Sequence, residues 1–373
     1  MKFYLNFKDS PLGVMNYKNL ISFRFDCSIF KVFSMARAFL VSSTRRIYNQ
    51  IRCGMPVDVV FYDNENQYVN QMRVLSFDKA PSDTIDTGNV IEVFLISSIY
   101  FDNVKETAVH DGAVGTIIEN IMRNSFKGSN YTFSGTSTDD MPRRRYQTSE
   151  KTLDFMNRIL KYGIKGNYPV YLYHNAKGEI NLRGIFDLIG TSPKCFAYSL
   201  YSERMGDFSL SEMTEKPVQM FGFHNKYNGK SAVSSIENIF STRNFRYMEG
   251  NIDSYNFSGA GDLSNQVEKS LPPKTVFYGW NLAPTDALTI AAKETFEKTC
   301  EACQFEASFS GFDLDNIELG STINVFLPYD NSARNKEGRS TNLGNGRYLI
   351  TSVSYYYDNE IFNTSAHMIQ TAC

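Results

Sequence analysis

The chain lacks most of what would mark an enzyme, a secreted scaffold or a membrane protein. It holds four histidines among 373 residues, His110, His174, His224 and His367. None stands in HExxH or in an i, i+4 pair suited to zinc. There is no GxxxxGK[ST], no GxGxxG behind a strand and no GxSxG, so neither a phosphate-cradling loop nor an esterase elbow is supported. No run approaches the roughly 18 apolar residues of a membrane helix, and no membrane span is expected. The opening MKFYLNFKDS carries no apolar leader core, so the expectation is assembly in the cytoplasm. Net charge is almost absent: 38 basic against 40 acidic residues leave -2. No global field draws such a chain to nucleic acid or to an acidic membrane, and specific nucleic-acid binding is not expected.

Cysteine is sparse too. Cys27, Cys53, Cys195, Cys300, Cys303 and Cys373 are scattered over a long chain, which reads as free thiols in a reducing compartment rather than a disulfide framework. Cys300 and Cys303 form one CxxC, but structural zinc needs a second pair. A redox pair belongs at a helix start, where the dipole lowers the thiol pKa, and this one falls near the end of a predicted helix. Asp313-Leu314-Asp315-Asn316 resembles the opening of a calcium loop, yet Glu318 stands where the loop needs glycine. A polar turn is the better reading. Asp139-Asp140 is a carboxylate pair in a loop with no sign of an apolar pocket. Arg143-Arg144-Arg145 beside Tyr146 is the one basic cluster. It has the composition to grip phosphate, but without a wider basic stripe it reads as a solvated loop or an ion-pair partner. The expectation is therefore no catalytic, cofactor-binding or metal-binding residues, no cofactor, and no enzyme.

What is present is aromatic and β-forming. There are 29 Phe and 23 Tyr against a single Trp280, and these residues favour half-buried pleated surfaces. The first hundred residues read as β. Val57–Tyr62 and Gln67–Phe77 flank an Asp-Asn-Glu-Asn turn as a hairpin, with Tyr68, Asn70 and Met72 on one face, and Val90–Tyr100 follows as a strand. Residues 32–42 are ambiguous between strand and helix. Near residue 110 the period changes. Val114, Ile117, Ile118, Ile121 and Met122 make one helical face, with Asp111 as candidate cap. Residues 134–146 read as a polar loop. A second helix is expected from about Ser149 to Tyr162, capped by Thr148 or Ser149, with Leu153, Met156, Ile159 and Leu160 buried. Gly163 and Gly166 stop it. Pro169–His174 and Glu179–Ile185 then read as a hairpin around Asn175-Ala176-Lys177-Gly178. Residues 186–283 are poorly readable, with strands at 218–227 and 244–248. A third helix is expected from Pro284 to about Cys303, and four strands after it, at 305–310, 322–326, 346–357 and 361–370. No short internal repeat is present. Two β-rich ends around a mixed centre suggest a diverged duplication.

Three of these stretches together resemble the baseplate hub proteins of contractile-tailed bacteriophages and the related hub part of type VI secretion spike proteins. They are the short helix Gly112–Met122 after a β-rich unit, the run YQTSEKTLDFMNRIL (146–160) with its following hairpin YLYHNAKGEINLRGI, and the closing strands. In the last, Phe312–Leu314 through Leu319–Ile323, Gly346–Tyr355 and Asn363–Met368 are similar to the end of such hubs, although Glu318 stands where the family commonly has proline. The resemblance covers about two thirds of the chain by order of elements. Residues 1–50 and 240–283 carry none of it.

The resemblance implies an α+β, β-rich fold with two β-barrel-like tube domains, a mixed α/β domain and an insertion. The first tube domain is then 1–105, the mixed domain 106–204, the second tube domain 205–240 with 303–373, and the inserted segment with its helix 241–302. It implies a structural virion protein: a homotrimer forming a pseudo-sixfold ring with a channel for genome passage. Its implied partners are the central spike, the tail tube, the tape-measure protein and the baseplate wedge. Two other readings stay open at this point, a tail-associated cell-wall hydrolase and a β-rich receptor- or glycan-binding tail module.

Overall fold

The computed structural model describes residues 2–41, 47–63, 66–79, 90–126, 131–166, 168–199, 215–225, 231–239, 244–251, 274–278, 303–326, 346–358 and 360–372, with Ile290, Lys293 and Glu297. Strands dominate, helices are few, and the main sheet is curled. The first hundred residues supply β1 (Lys2–Phe7), β2 (Gly13–Asn16), β3 (Leu20–Ser28), β4 (Met35–Val41), β5 (Pro56–Asp63), β6 (Asn66–Lys79) and β7 (Val90–Ser97). They pair antiparallel in the order β2-β1-β5-β6-β7-β4-β3. The expected hairpin is β5–β6, with Val60 opposite Val69 and Asn70 and Met72 buried on one face. The ambiguous segment 32–42 contains strand β4. Ala36, Ala38 and Leu40 are buried at a period of two, which a helix cannot satisfy.

A mixed segment follows: β8 (Lys105–Gly112), α1 (Val114–Ser125), β9 (Thr132–Gly135), β10 (Arg143–Lys151), α2 (Thr152–Leu160), β11 (Ile164–Lys165), β12 (Tyr168–His174), β13 (Glu179–Gly184) and α3 (Ile185–Gly190). Both predicted helical faces are buried as expected, against Val170, Leu172, Ile180 and Leu182 of the hairpin. Their caps are not the expected ones. Asp111 lies in β8, and α1 is capped from 26 residues away: Val114 N donates to Asp140 Oδ2 (2.9 Å) and Gly115 N to Thr138 Oγ1 (2.8 Å). Likewise α2 starts at Thr152, not Ser149, and Leu153 N donates to Asn103 Oδ1 (2.9 Å). Thr148 and Ser149 belong to β10, which bulges there with Ser149 at φ 54°. The two ends of the expected polar loop 134–146 are strand, in β9 and β10, while 136–142 is loop as expected.

The remainder comprises β14 (Phe196–Ser199), β15 (Glu215–Asn225), β16 (Ser231–Ile239), β17 (Asn244–Asn251), β18 (Lys274–Tyr278), β19 (Cys303–Ser310), β20 (Thr322–Phe326), β21 (Gly346–Asp358) and β22 (Ile361–Ala372). The four expected C-terminal strands are all present. Of the expected third helix, Ile290, Lys293 and Glu297 are helical and Cys303 already begins β19. The rest of it lies outside the described residues. β20, β14, β15, β19 and β22 run from β21 and return to it, a closed hydrogen-bonded circuit. β3 also pairs with β21, from Ser28↔Ser352 to Ser22↔Asp358. This joins the curled first sheet to the circuit in a single 13-stranded sheet. Strands β16–β18 form a separate small sheet.

One core serves both halves. Phe3 stacks on Phe23 with ring centroids 4.5 Å apart, and Phe61 reaches Phe312 (5.8 Å) and Tyr355 (5.9 Å). The connection between β19 and β20 fills the middle with Phe312, Leu314, Ile317 and Leu319. Strand β12 is buried on both faces: Val170 and Leu172 face the helices, while Tyr171 and Tyr173 face this larger core.

The turn at the tip of β12–β13 is driven into that centre. Asn175 Oδ1 accepts from Lys177 N (3.1 Å) and Glu179 N (2.9 Å) to shape it. Asn70 Nδ2 of β6 donates to Ala176 O (2.6 Å). Lys177 pairs with Asp315 (2.9 Å) and Glu318 (3.3 Å), and Tyr68 donates to Asp315 (3.0 Å). Gly178 has φ +80°, and a Cβ there would lie 2.3 Å from the carbonyl oxygen of Val69. Gly166 has φ +57° but open space around it. Gly166→Ala should cost roughly 1 kcal/mol of left-handed strain. Gly178→Ala should cost roughly 3 kcal/mol, because backbone must also move. Chemical denaturation of both variants measures the difference; equal losses would mean that the tip is not held against β6.

Candidate functional site

Away from the core, the same sheet carries a polar face that spans both halves. Alternation in β3 turns Phe23, Phe25 and Cys27 inward and Ser22, Arg24 and Asp26 outward. The register carries this face across six strands. One row runs Phe94, Arg37, Arg24, Tyr356, Asn363 and Ser310 through β7, β4, β3, β21, β22 and β19. The next runs Met35, Asp26, Ser354, Ser365 and Ser308. Over the β3–β21 junction lies a groove of about 500 Å³, bordered by Arg24, Arg37, Glu306, Tyr356, Asp358 and His367.

Arg24 and Arg37 stand directly opposite one another, an arrangement that repels. Each is neutralised on the same face. Arg24 Nε donates to Asp26 Oδ1 (2.8 Å) and its Nη2 to Ser354 Oγ (3.3 Å), while Ser354 donates to Asp26. Arg37 is ion-paired with Glu92 and lies between the rings of Phe39 (4.8 Å) and Phe94 (5.3 Å). These contacts orient both guanidinium groups and leave their remaining donors facing solvent.

The residues raised by the sequence have structural partners. Arg143, Arg144 and Arg145 lie in β10 and not in a loop, so alternation splits them. Arg144 pairs with Asp111 of β8 (2.9 Å), and Arg145 lies 5.1 Å over Tyr162 and 4.0 Å from Asp140. The Asp139-Asp140 pair is structural: Asp140 caps α1 and Asp139 accepts from Gly166 N (2.7 Å). The Asp313–Asn316 turn is closed by Asn316 N donating to Asp313 Oδ1 (3.1 Å). Among the described residues no group of three or more His, Cys, Asp or Glu is placed to hold a metal ion, and no helix is long and apolar enough to cross a membrane. Burial pushes the Cys27 thiol pKa up, away from thiolate chemistry. The side chains of His224 and Cys303, and all of Cys300, lie outside the described residues.

Two functional positions were missed by sequence reasoning. Gln147, read only as part of a resemblance, is fully buried and donates to Glu150 O (3.2 Å) and Thr152 Oγ1 (3.3 Å), which sets where β10 turns into α2. The charged face of β3 and β4 was missed because its pattern, alternate Arg or Asp among Phe and Ala, is that of any half-buried strand.

The fold is thus a curled antiparallel sheet continuous with a closed strand circuit, with a helix–hairpin unit packed on their shared core. Among solved structures the fold is similar end to end to the 43 kDa tail protein of prophage MuSo2 from Shewanella oneidensis, with a TM-score of 0.64, 8% identity and coverage of 100% of this chain and 99% of that one. It is similar to a tail protein from Neisseria meningitidis MC58, at TM-score 0.59 and 10% identity over 99% and 97% of the chains. It is also similar to an E. coli type VI secretion component, itself described as structurally similar to the T4 bacteriophage tail proteins gp27 and gp5, at TM-score 0.51 and 13% identity over 98% and 76%. The structural likeness thus falls on the group that the sequence resemblance pointed to, at the level of fold. No protein-family model matches the chain, and no curated protein matches its sequence.

His174 closes β12 beneath this assembly. It is fully enclosed, bonded through Nδ1 to Ser34 Oγ (2.6 Å), and burial lowers its pKa to about 4. The unfolded chain, with a histidine pKa near 6.5, therefore binds more protons between pH 6.5 and 4. Its contribution to stability is full above pH 6.5 and is lost as pH falls through that window, by about 3 kcal/mol in total. Denaturation of wild type and His174→Gln at pH 7 and pH 4 should show that excess acid sensitivity in wild type alone. Parallel pH profiles would refute the burial of a neutral imidazole.

Proposed function

We propose that this chain is a baseplate hub. Three copies form a ring in which two similar β units per copy give six, joining a sixfold tail tube above to a threefold central spike below, with a channel for the genome. The observation that carries the reading is the β3–β21 pairing. It holds a curled sheet and a closed circuit side by side in one rigid subunit, the arrangement a pseudo-sixfold ring of three requires. The likeness of the fold to tail proteins supports a structural role without enzymatic activity over a hydrolase or a glycan-binding module.

In this reading the first tube domain is 1–105, the mixed domain 106–204 packs outside the ring, the second tube domain takes 205–240 and 303–373, and 241–302 is inserted. Strand β14, which pairs into the circuit, belongs functionally with the second tube domain. The partners are two further copies, the central spike and the tail tube, with the tape-measure protein and baseplate wedge nearby. The place of action is the tail baseplate of a virion assembled in the host cytoplasm. A ring also suits a protein whose net charge is near zero, since self-repulsion is small.

Electron microscopy of the purified chain, alone and with its spike, tests the proposal. Threefold particles with a central opening and six inner lobes are expected. Compact monomers in both samples would overturn it.

A further inference from the structure

We propose that the joint between the first sheet and the helix–hairpin unit is a binding site for one ordered water molecule, held between Nε2 of His174 and the hydroxyl of Ser97. A small cavity of about 10 Å³ lies where the two units meet. Gln71, Ser97, Ser98 and Ile99 border it from the sheet, and Tyr131, His174 and Gly178 from the other side. Roughly 10–15 Å³ suffices to hold a water, provided that two to four polar groups meet it. The wall meets that condition. Gln71, Ser97, Ser98 and Tyr131 carry side-chain oxygens and His174 a ring nitrogen, with Ile99 the only apolar side chain among them. A cavity of this size lined by apolar groups would stay dry.

The donors and acceptors around His174 fix its tautomer. Nδ1 lies 2.6 Å from Ser34 Oγ. Ser34 is fully buried, and among the described residues its hydroxyl has no other partner. If Nδ1 carried the proton, the Ser34 O–H would be left without an acceptor, and a buried donor left unmet costs about 1–3 kcal/mol. Ser34 therefore donates to Nδ1, and the single proton of the neutral ring sits on Nε2. Among the described residues no protein group accepts from Nε2, and the ring borders the cavity. A water there accepts from Nε2–H and donates to Ser97 Oγ. The backbone completes the circle, because Ser97 N donates to Ser34 O (3.1 Å). Ser34, His174, the water and Ser97 then form a closed ring of hydrogen bonds across the joint, in which each buried donor is met.

The full chain is tested in two ways at pH 7. Solid-state NMR of protein labelled with 15N-histidine reads which ring nitrogen of His174 is protonated, with His174→Gln identifying its signals. A crystal structure at a resolution that shows solvent reads the cavity. The expected result is a proton on Nε2 and one solvent peak within hydrogen-bond distance of both Nε2 and Ser97 Oγ. Ser97→Val puts methyl groups where the hydroxyl stood, and should lose the peak while keeping its fold by circular dichroism. A proton on Nδ1, a cavity without a solvent peak in wild type, or a peak that survives unmoved in folded Ser97→Val would overturn the assignment. Should Ser97→Val fail to fold, Ser97→Ala takes its place: there the peak is expected to shift or vanish, and an unmoved peak would remove Ser97 as its partner and refute the site as drawn. Ring formation is not at stake in any of these outcomes.

Discussion

The turn Asn175–Gly178 reaches the centre of the molecule only because one backbone can approach another there without a side chain between them. Around that close approach everything else is arranged. β6 supplies Asn70 to the Ala176 carbonyl, the β19–β20 connection supplies Asp315 and Glu318 to Lys177, and the loop before β4 supplies Ser34 to His174. Three regions far apart in sequence thus end on this four-residue turn and the strand residue that precedes it. Buried polar groups left without partners would be costly, so each partner constrains the position of the next. The ion pairs at this turn add little net free energy after desolvation, but they tolerate few alternative geometries.

Two opposite requirements meet on one sheet. Its inner side must fill the space within a strongly curled surface, and large flat rings do so with few rotamers; Phe3, Phe23, Phe61, Phe312 and Tyr355 pack edge and face around one another. Its outer side remains in water and must not pair or stick. The period of two satisfies both at once, so the chain needs only alternation, not particular residues. That is consistent with a fold shared end to end with a Shewanella tail protein at 8% identity.

Much of this was legible locally. Val57–Phe77 announced a hairpin, the i, i+3, i+4 spacing from Val114 to Met122 gave the buried face of α1, and the four C-terminal strands follow from β-branched and aromatic runs. The failures have a common physical cause. Helix starts were assigned to the nearest cap-forming residues, whereas Asp140 and Asn103 act across 26 and 50 residues. β10 reads as the end of a loop and the start of a helix because its residues Arg143–Lys151 are mostly polar; only its pairing with β8 and its packing on α2 make it a strand. The pairing of β3 with β21, and with it the polar face, is a property of the whole chain that no window contains. The sequence resemblance supplied what local patterns lacked, an order of elements, and the curled sheet and the likeness to tail proteins agree with it at that level.

The bonds between β3 and β21 span more than three hundred residues, with Cys27 and Val353 separated by 326. Contacts of such range form late, because the loop entropy is lost before the ladder rewards it. During synthesis the first seven strands emerge early, yet β3 has no neighbour on its outer side until Gly346–Asp358 has left the ribosome. The helix–hairpin unit, with its short-range contacts, is the part suited to form in the meantime. The first sheet therefore gains its last neighbour only after Gly346–Asp358 has been made, so its free edge at β3 must stay unpaired with other chains until then.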